Sequence, residues 1–279
     1  MTDEPTDIIS ELGALDLAFV IDTTSSMGPY IEDAKRHARE TAETIAKAGD
    51  LHLRVAIIEY RDHPPQDHTF VTRIHDFSDF EHFQREILTL MPEGGGDTPE
   101  AVYDGLHDAS TRQWRANADH RVILIGDAPP HGHASGALRH GGDGFPDGCP
   151  CGLTSGGILE IYSMHNLVLD ACAIGGDPAT IEEFTELAQG TGGKVFKIDV
   201  TRPDLVSASV GATMTAASTD ITNSRLVYAS YAADSSLSVE RVAAMNSISV
   251  DMVNSSLEYL NRRGYDPRGG IPKPPDGTS

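Results

Sequence analysis

The chain has 279 residues, with 42 Asp and Glu against 21 Lys and Arg, a formal charge of −21 and 39% hydrophobic residues. That apolar content supports a folded core and excludes a compositionally disordered chain. The longest basic cluster, Arg262–Arg263, is too short for the phosphate contacts of a nucleic-acid binder, and anionic lipid is disfavoured for the same reason.

An acidic surface suits solubility, cation attraction or a basic partner. Three cysteines are too few for a disulfide framework. No apolar run approaches the ~18 residues of a transmembrane helix. The opening residues, Met1–Asp7, lack the basic and apolar regions of a secretory signal. A reducing, cytoplasmic setting without membrane contact is therefore expected.

After an N-terminal segment at 1–13, short apolar runs alternate with helical patterns. Leu15–Ile21 reads as a buried strand. Pro29–Ala48 reads as a helix, with proline in its first turn, apolar residues at Ile31, Ala34, Ala38, Ala42 and Ile45, and Gly49 after it. Leu51–Tyr60 is strand-like, and Phe70–Ile74 lies close enough in sequence to form a hairpin with it. Ser78 opens Ser-Asp-Phe-Glu, a capping-box pattern for a helix reaching Leu90. Gly94-Gly95-Gly96 is a break, and Pro99 opens the next helix, to Ser110.

Arg121–Gly126 is a strongly apolar strand, followed by a glycine-rich loop from Ala128 to Ser155. A helix at Gly157–His165, a strand at Leu167–Ile174, a helix at Asp177–Gln189, a strand at Lys194–Ile198 and a closing helix at Leu205–Ala217 complete the pattern. Alternation of this kind predicts an α/β fold, a doubly wound, mainly parallel six-stranded sheet with helices on both faces. It spans 14–217. A helical C-terminal extension follows at 218–263, with an apolar stripe within Ser235–Asn261, and then a flexible Pro/Gly tail at 264–279.

In an open parallel sheet, ligands bind beyond the carboxyl ends of the strands. That rule selects Asp22-Thr23-Thr24-Ser25-Ser26-Met27 after the first strand, Asp97-Thr98-Pro99-Glu100 after the glycine break, and Gly126-Asp127-Ala128-Pro129-Pro130 after the fourth. Asp22, Thr24, Ser26, Thr98 and Asp127 offer hard oxygen donors, with Asp97 an alternative. Converging carboxylates repel, and a divalent cation cancels that repulsion. All-oxygen ligation suits Mg²⁺ or Mn²⁺, or Ca²⁺. With two formal charges from the protein, the ion keeps waters or an open position.

Asp22-x-Thr24-x-Ser26-Met27, the GGGDTPE segment at 94–100 and ILIGDAPPHG at 123–132 resemble a von Willebrand factor A (vWA) domain with its metal-ion-dependent adhesion site, D-x-S/T-x-S, a later T and a later D. The wording is similar to a subgroup from bacteria and from alpha-kinase-linked and hemicentin-like proteins. The resemblance implies that Ser26, Thr24 and Thr98 ligate the metal directly or nearly so. By the same resemblance Asp22 and Asp127 often act through water, and a partner's Asp or Glu completes the sphere.

The glycine-rich loop carries His131, His133, His140, Cys149 and Cys151. His131, His133, Cys149 and Cys151 are candidate zinc ligands; the alternative is a loop that packs over the rim without metal. Cys172 reads as core, Trp114 as partly buried, and His63 and His68 as surface residues of a hairpin loop.

The expected function is a metal-dependent protein–protein interaction module, not an enzyme. It would act as an adaptor or scaffold in a bacterial multiprotein system with an ATPase, kinase or other effector. Its protein partner, presenting Asp or Glu, is expected to be co-encoded. The alternative is a metal-dependent hydrolase or phosphotransferase using the same oxygen site or a zinc in the His/Cys loop. The phosphate-cradling patterns G-x-x-x-x-G-K-[ST] and G-x-G-x-x-G are absent.

Overall fold

The computed structural model describes residues 9, 11–35, 51–133 and 142–269. Its six strands are β1 (Ala14–Asp22), β2 (His52–Tyr60), β3 (Thr72–Ser78), β4 (Asp119–Gly126), β5 (Val168–Ile174) and β6 (Val195–Ile198). Their order is β3-β2-β1-β4-β5-β6. All neighbours are parallel except β2 and β3, the antiparallel hairpin that their closeness in sequence predicts.

The chain leaves β1 towards β2 on one side and returns to β4 on the other. The crevice at their carboxyl ends is therefore the sheet's switch point. Ile21 is opposite Ile125, so Asp22 and Asp127 emerge from neighbouring strands at nearly the same height.

Strand residues alternate between two cores, because successive side chains point to opposite faces. Ala18, Val20, Ile58, Val122, Leu124 and Ala171 pack beneath α2 (Val102–Ser110), α3 (Ser155–Met164) and α4 (Pro178–Gly190). Leu17, Phe19, Ile21, Ile57, Ile123 and Cys172 pack beneath the helical stretch at 28–35, α1 (Phe80–Ile87) and α5 (Asp204–Ala233). A third core joins Leu12, Leu15 and the end of α5 to α6 (Val239–Asn246) and α7 (Val250–Arg262). Among the described residues no helix is long and apolar enough to cross a membrane.

The elements depart from the sequence expectation where side-chain chemistry hides the period. β3 begins at Thr72, not Phe70: the Phe70 ring lies between the guanidiniums of Arg61 and Arg73, 4.4 and 4.1 Å from its centroid. The cap of α1 is Asp79, whose carboxylate accepts from His82 N at 2.8 Å, not Ser78. α2 starts at Val102 because Glu100 N first donates to Pro129 O.

α5 runs through Ala217 to Ala233, about 45 Å at 1.5 Å per residue. Its many Ser and Thr break the apolar stripe, but Ser209, Thr215, Thr219 and Ser230 return hydroxyl protons to carbonyls one turn earlier. The stripe at 235–261 is two helices, parted where Ser247 turns left-handed at φ 57° and Ser249 caps α7. Of the expected flexible tail, 264–269 are described, with Tyr265 buried against Tyr228. The expected helix beyond residue 35, His140, and 270–279 lie outside the described residues.

Candidate metal centre at the switch point

The end of β1 folds back on itself through one carboxylate. Thr24 N and Thr24 Oγ1 both donate to Asp22 Oδ1, at 2.8 and 2.6 Å. The short 3₁₀ turn at Ser25–Met27 then lifts Ser26 outward, and its hydroxyl donates to Asp127 Oδ1 at 3.1 Å. Thr24 Oγ1 and Ser26 Oγ stand 3.2 Å apart. With each hydroxyl's one proton committed to a carboxylate, that gap sets lone pair against lone pair. A cation between them relieves this arrangement.

Burial is graded across the cluster. Asp22 and Thr24 are buried, Asp127 is half-buried and Ser26 is exposed. Asp22 Oδ2 is buried without a hydrogen-bond partner. Burial, reinforced by the Asp127 charge, pushes the Asp22 carboxyl up to about 8. Burial also raises Asp127. The donors are oxygens only, so the residues fit a hard divalent ion, and the exposed Ser26 side leaves room for an outside ligand.

The glycine break serves this loop. Gly94 O accepts from both Ser25 N and Ser25 Oγ, at 3.2 and 2.9 Å. Gly95 has φ +81°, and a Cβ there would stand 3.0 Å from Thr24 Cβ and 3.1 Å from Glu100 Oε1.

The other expected donors divide. Thr98 shares no hydrogen bond with the four among the described residues. Asp97 turns away, accepting from Gly144 N at 2.7 Å and lying beside Asp62. Glu100, to which the sequence reading assigned no role, is buried beside Thr24 with Oε2 unpartnered. Burial, then the charges of Asp22, Asp62, Asp127 and Asp97, raise it well above the ordinary carboxylate range. Its signal in sequence is slight, because an acid in a helix's first turn is commonplace.

The expected zinc set does not assemble. His131 is buried between Asp62 Oδ1 (2.8 Å) and Asp143 Oδ1 (3.1 Å). Burial works against its charge, but the two acids outweigh it and raise its pKa. His133 meets Tyr103 OH at 3.0 Å and Glu183 Oε2 at 3.3 Å. Cys149 and Cys151 lie instead beside His63 and Asp104. His63 is thus buried, not the surface residue its loop suggests. Cys172 is core and Trp114 is half-buried against Phe77, both as expected.

Residues 16–135 match the family model for the von Willebrand factor A domain. The chain is 32% identical over 153 residues to the alpha-protein kinase vwkA of Dictyostelium discoideum, covering 54% of this chain and 24% of that protein. It is 33% identical over 127 residues to a putative ariadne-like RING finger protein, R811, of Acanthamoeba polyphaga mimivirus, covering 44% of this chain and 12% of that one. The chain therefore spans only a minor part of either relative.

Among solved structures, the pilus adhesin SpaC of Lactobacillus rhamnosus GG in its open conformation superposes with a TM-score of 0.54 at 14% identity, covering 74% of this chain and 30% of that one. A von Willebrand factor type A structure from Catenulispora acidiphila gives 0.50 at 15% identity, covering 74% and 43%. At these identities the likeness is one of fold. The family match over 16–135, carried on a six-stranded sheet of this order, supports a von Willebrand factor A domain over that segment.

Proposed function

We propose that the domain is a protein-interaction module that grips an acidic side chain of a partner through a divalent cation, Mg²⁺ before Mn²⁺ or Ca²⁺. Asp22, Thr24, Ser26 and Asp127 hold the ion, with Thr98 able to enter the sphere. The observation carrying this reading is the buried, unpartnered Asp22 Oδ2 beneath an exposed Ser26 hydroxyl tied to Asp127. The protein supplies charge from below and leaves the outward side for a carboxylate.

The chain's relatives are a kinase and a RING-type protein, each much longer than the matched segment. An adaptor role that brings a partner to an effector suits that setting. These two relatives are from an amoeba and a virus, so the reading does not depend on a bacterial context.

Mn²⁺ titrated into the full chain and followed by electron paramagnetic resonance tests the site. The expected result is a bound ion lost in the double variant Asp22→Ala/Asp127→Ala. An acidic peptide should then displace bound water and lower the water-proton relaxation enhancement. Undiminished Mn²⁺ binding in the double variant would overturn the site. Binding without any response to acidic peptides would overturn the bridging mechanism.

A further inference from the structure

A second cluster of donors lies in the rim, built from three separate segments. His63 follows β2, Asp104 sits in the first turn of α2, and Cys149 and Cys151 come from the loop before α3. One ligand atom from each falls within 4.8 Å of every other. His63 Nε2 is 3.0 Å from Asp104 Oδ2, Cys149 Sγ is 3.1 Å from the same oxygen, and sulfur and ring nitrogen are 3.7 Å apart.

A tetrahedral zinc with bonds of about 2.0 Å to nitrogen and oxygen and about 2.3 Å to sulfur spaces its ligand atoms roughly 3.3–3.8 Å apart. The separations of 3.0, 3.1 and 3.7 Å lie within a few tenths of an ångström of those edges, and the Cys151 sulfur lies within 4.8 Å of the other three donors. The cluster therefore needs small side-chain adjustments, not a rebuilt loop, to close around an ion.

The same distances argue against a nucleophilic Cys-His-Asp arrangement. In a triad the acid holds one ring nitrogen and the nucleophile uses the other. Here carboxylate and sulfur both face Nε2. Carboxylate, imidazole and sulfur converging on one point are a donor set that zinc takes once the thiol protons are released.

The local backbone presents both sulfurs to that point. Cys149-Pro150-Cys151-Gly152 is a tight turn, closed by Gly152 N donating to Cys149 O at 2.9 Å, with proline at its second position. Gly148 and Gly152 take φ +114° and +73° on either side. The Phe145 ring meets the His63 ring edge-on at 5.8 Å and helps fix its orientation.

We propose that His63, Asp104, Cys149 and Cys151 form a tetrahedral zinc site, separate from the oxygen site and structural in role. Four protein ligands leave no open position for substrate. The ion clamps the loop at 142–153 onto β2's exit and α2. Gly144 N in that loop holds Asp97, and Asp143 holds His131, so the clamp steadies the rim beside the oxygen site.

The test uses the full chain purified under reducing conditions without chelator. Elemental analysis should find one tightly held zinc, and the cobalt-substituted protein should show thiolate-to-cobalt charge-transfer absorption. Cys151 is exposed, so Cys151→Ser should fold, which circular dichroism checks. It should lose the absorption in part and weaken zinc binding by about a hundredfold, no less than the loss from removing an outer-shell partner. Asp104→Asn should weaken binding too, while Asp22→Ala leaves zinc and spectrum unchanged. Absence of zinc with no thiolate band in the cobalt form would overturn the proposal. So would a band indifferent to Cys151→Ser, or a Cys149–Cys151 disulfide in the reduced preparation.

Discussion

Ser26 Oγ donates to Asp127 Oδ1 at 3.1 Å across 101 residues of sequence. The bond exists because β1 and β4 are parallel neighbours whose register brings their carboxyl ends level. It joins the local Asp22–Thr24 turn to a carboxylate from another strand. Four oxygen donors thereby meet in one hydrogen-bonded cluster.

Ser26 is exposed, so Ser26→Ala should change stability by no more than about 0.5 kcal/mol. It removes an oxygen donor and the tie to Asp127 together. Mn²⁺ affinity should fall by about tenfold or more, roughly the 1.4 kcal/mol of a lost charge-assisted contact. Paired urea melts and Mn²⁺ titrations separate the two effects, and unchanged affinity would remove Ser26 from the site.

Glu100 carries a pH signature. Its folded pKa is raised by burial and by Asp22, Asp62, Asp127 and Asp97. For an acid raised on folding, stability is fully present below the unfolded value, about 4.3, and is lost as pH rises towards the folded one. In chelator, the wild-type chain should therefore lose stability as the pH rises above about 5, with Asp22, raised to about 8, adding to the loss. Glu100→Gln should show a shallower loss, Asp22 still contributing. Equal slopes in urea midpoints would show that Glu100 titrates normally.

Gly95→Ala tests the glycine break. The left-handed φ of +81° strains any side chain, and the new Cβ would press on Thr24 Cβ at 3.0 Å. The expected cost is about 1–2 kcal/mol, measured by denaturant unfolding. Mn²⁺ binding should weaken as Thr24 shifts. A neutral effect on both would mean that the close approach is not maintained.

At the far end of β1, Asp16 is fully buried and held by two arginines. Arg54 donates from Nε and Nη2 at 3.0 and 2.6 Å, and Arg115 donates from its backbone N and Nε at 2.8 and 2.9 Å. Burial works against the Asp16 charge, but these bonds hold its pKa below the ordinary value. Its stabilisation is thus present above about pH 3.9 and lost as pH falls through the folded value. Asp16→Asn should cost roughly 3 kcal/mol, the lower end for breaking a buried pair, because both guanidiniums keep some water. Thermal melts of the two proteins should differ at neutral pH and converge as the pH falls through the folded value; equal melts at neutral pH would show that the Asp16 charge does not stabilise the fold.

The first half of the oxygen site is legible because it is local. Asp22, Thr24 and Ser26 follow one strand at spacing two, and a strand end with that donor pattern stands out. Asp127 follows the next strongly apolar run, so the parallel-sheet rule places it nearby. Glu100 is hidden because its role comes from a bridge to Pro130, not from its own neighbours in sequence. The long α5 is hidden for a different reason. Ser209, Thr215, Thr219 and Ser230 satisfy their hydroxyls within the helix, which no apolar period reports.

The alternating elements, the doubly wound sheet and the three loops at its carboxyl edge are legible in the residue pattern alone. Period and strand-end chemistry are properties of short windows, and those survive in a one-dimensional reading. Which histidine meets the cysteines depends on how distant segments pack. Cys149 and Cys151 share a loop with His131 and His133, yet Asp62 and Glu183 draw those rings aside while β2's exit delivers His63. Partners of this kind are set by competing hydrogen bonds among distant segments once the sheet has formed. The energies that choose between them are not written in spacing.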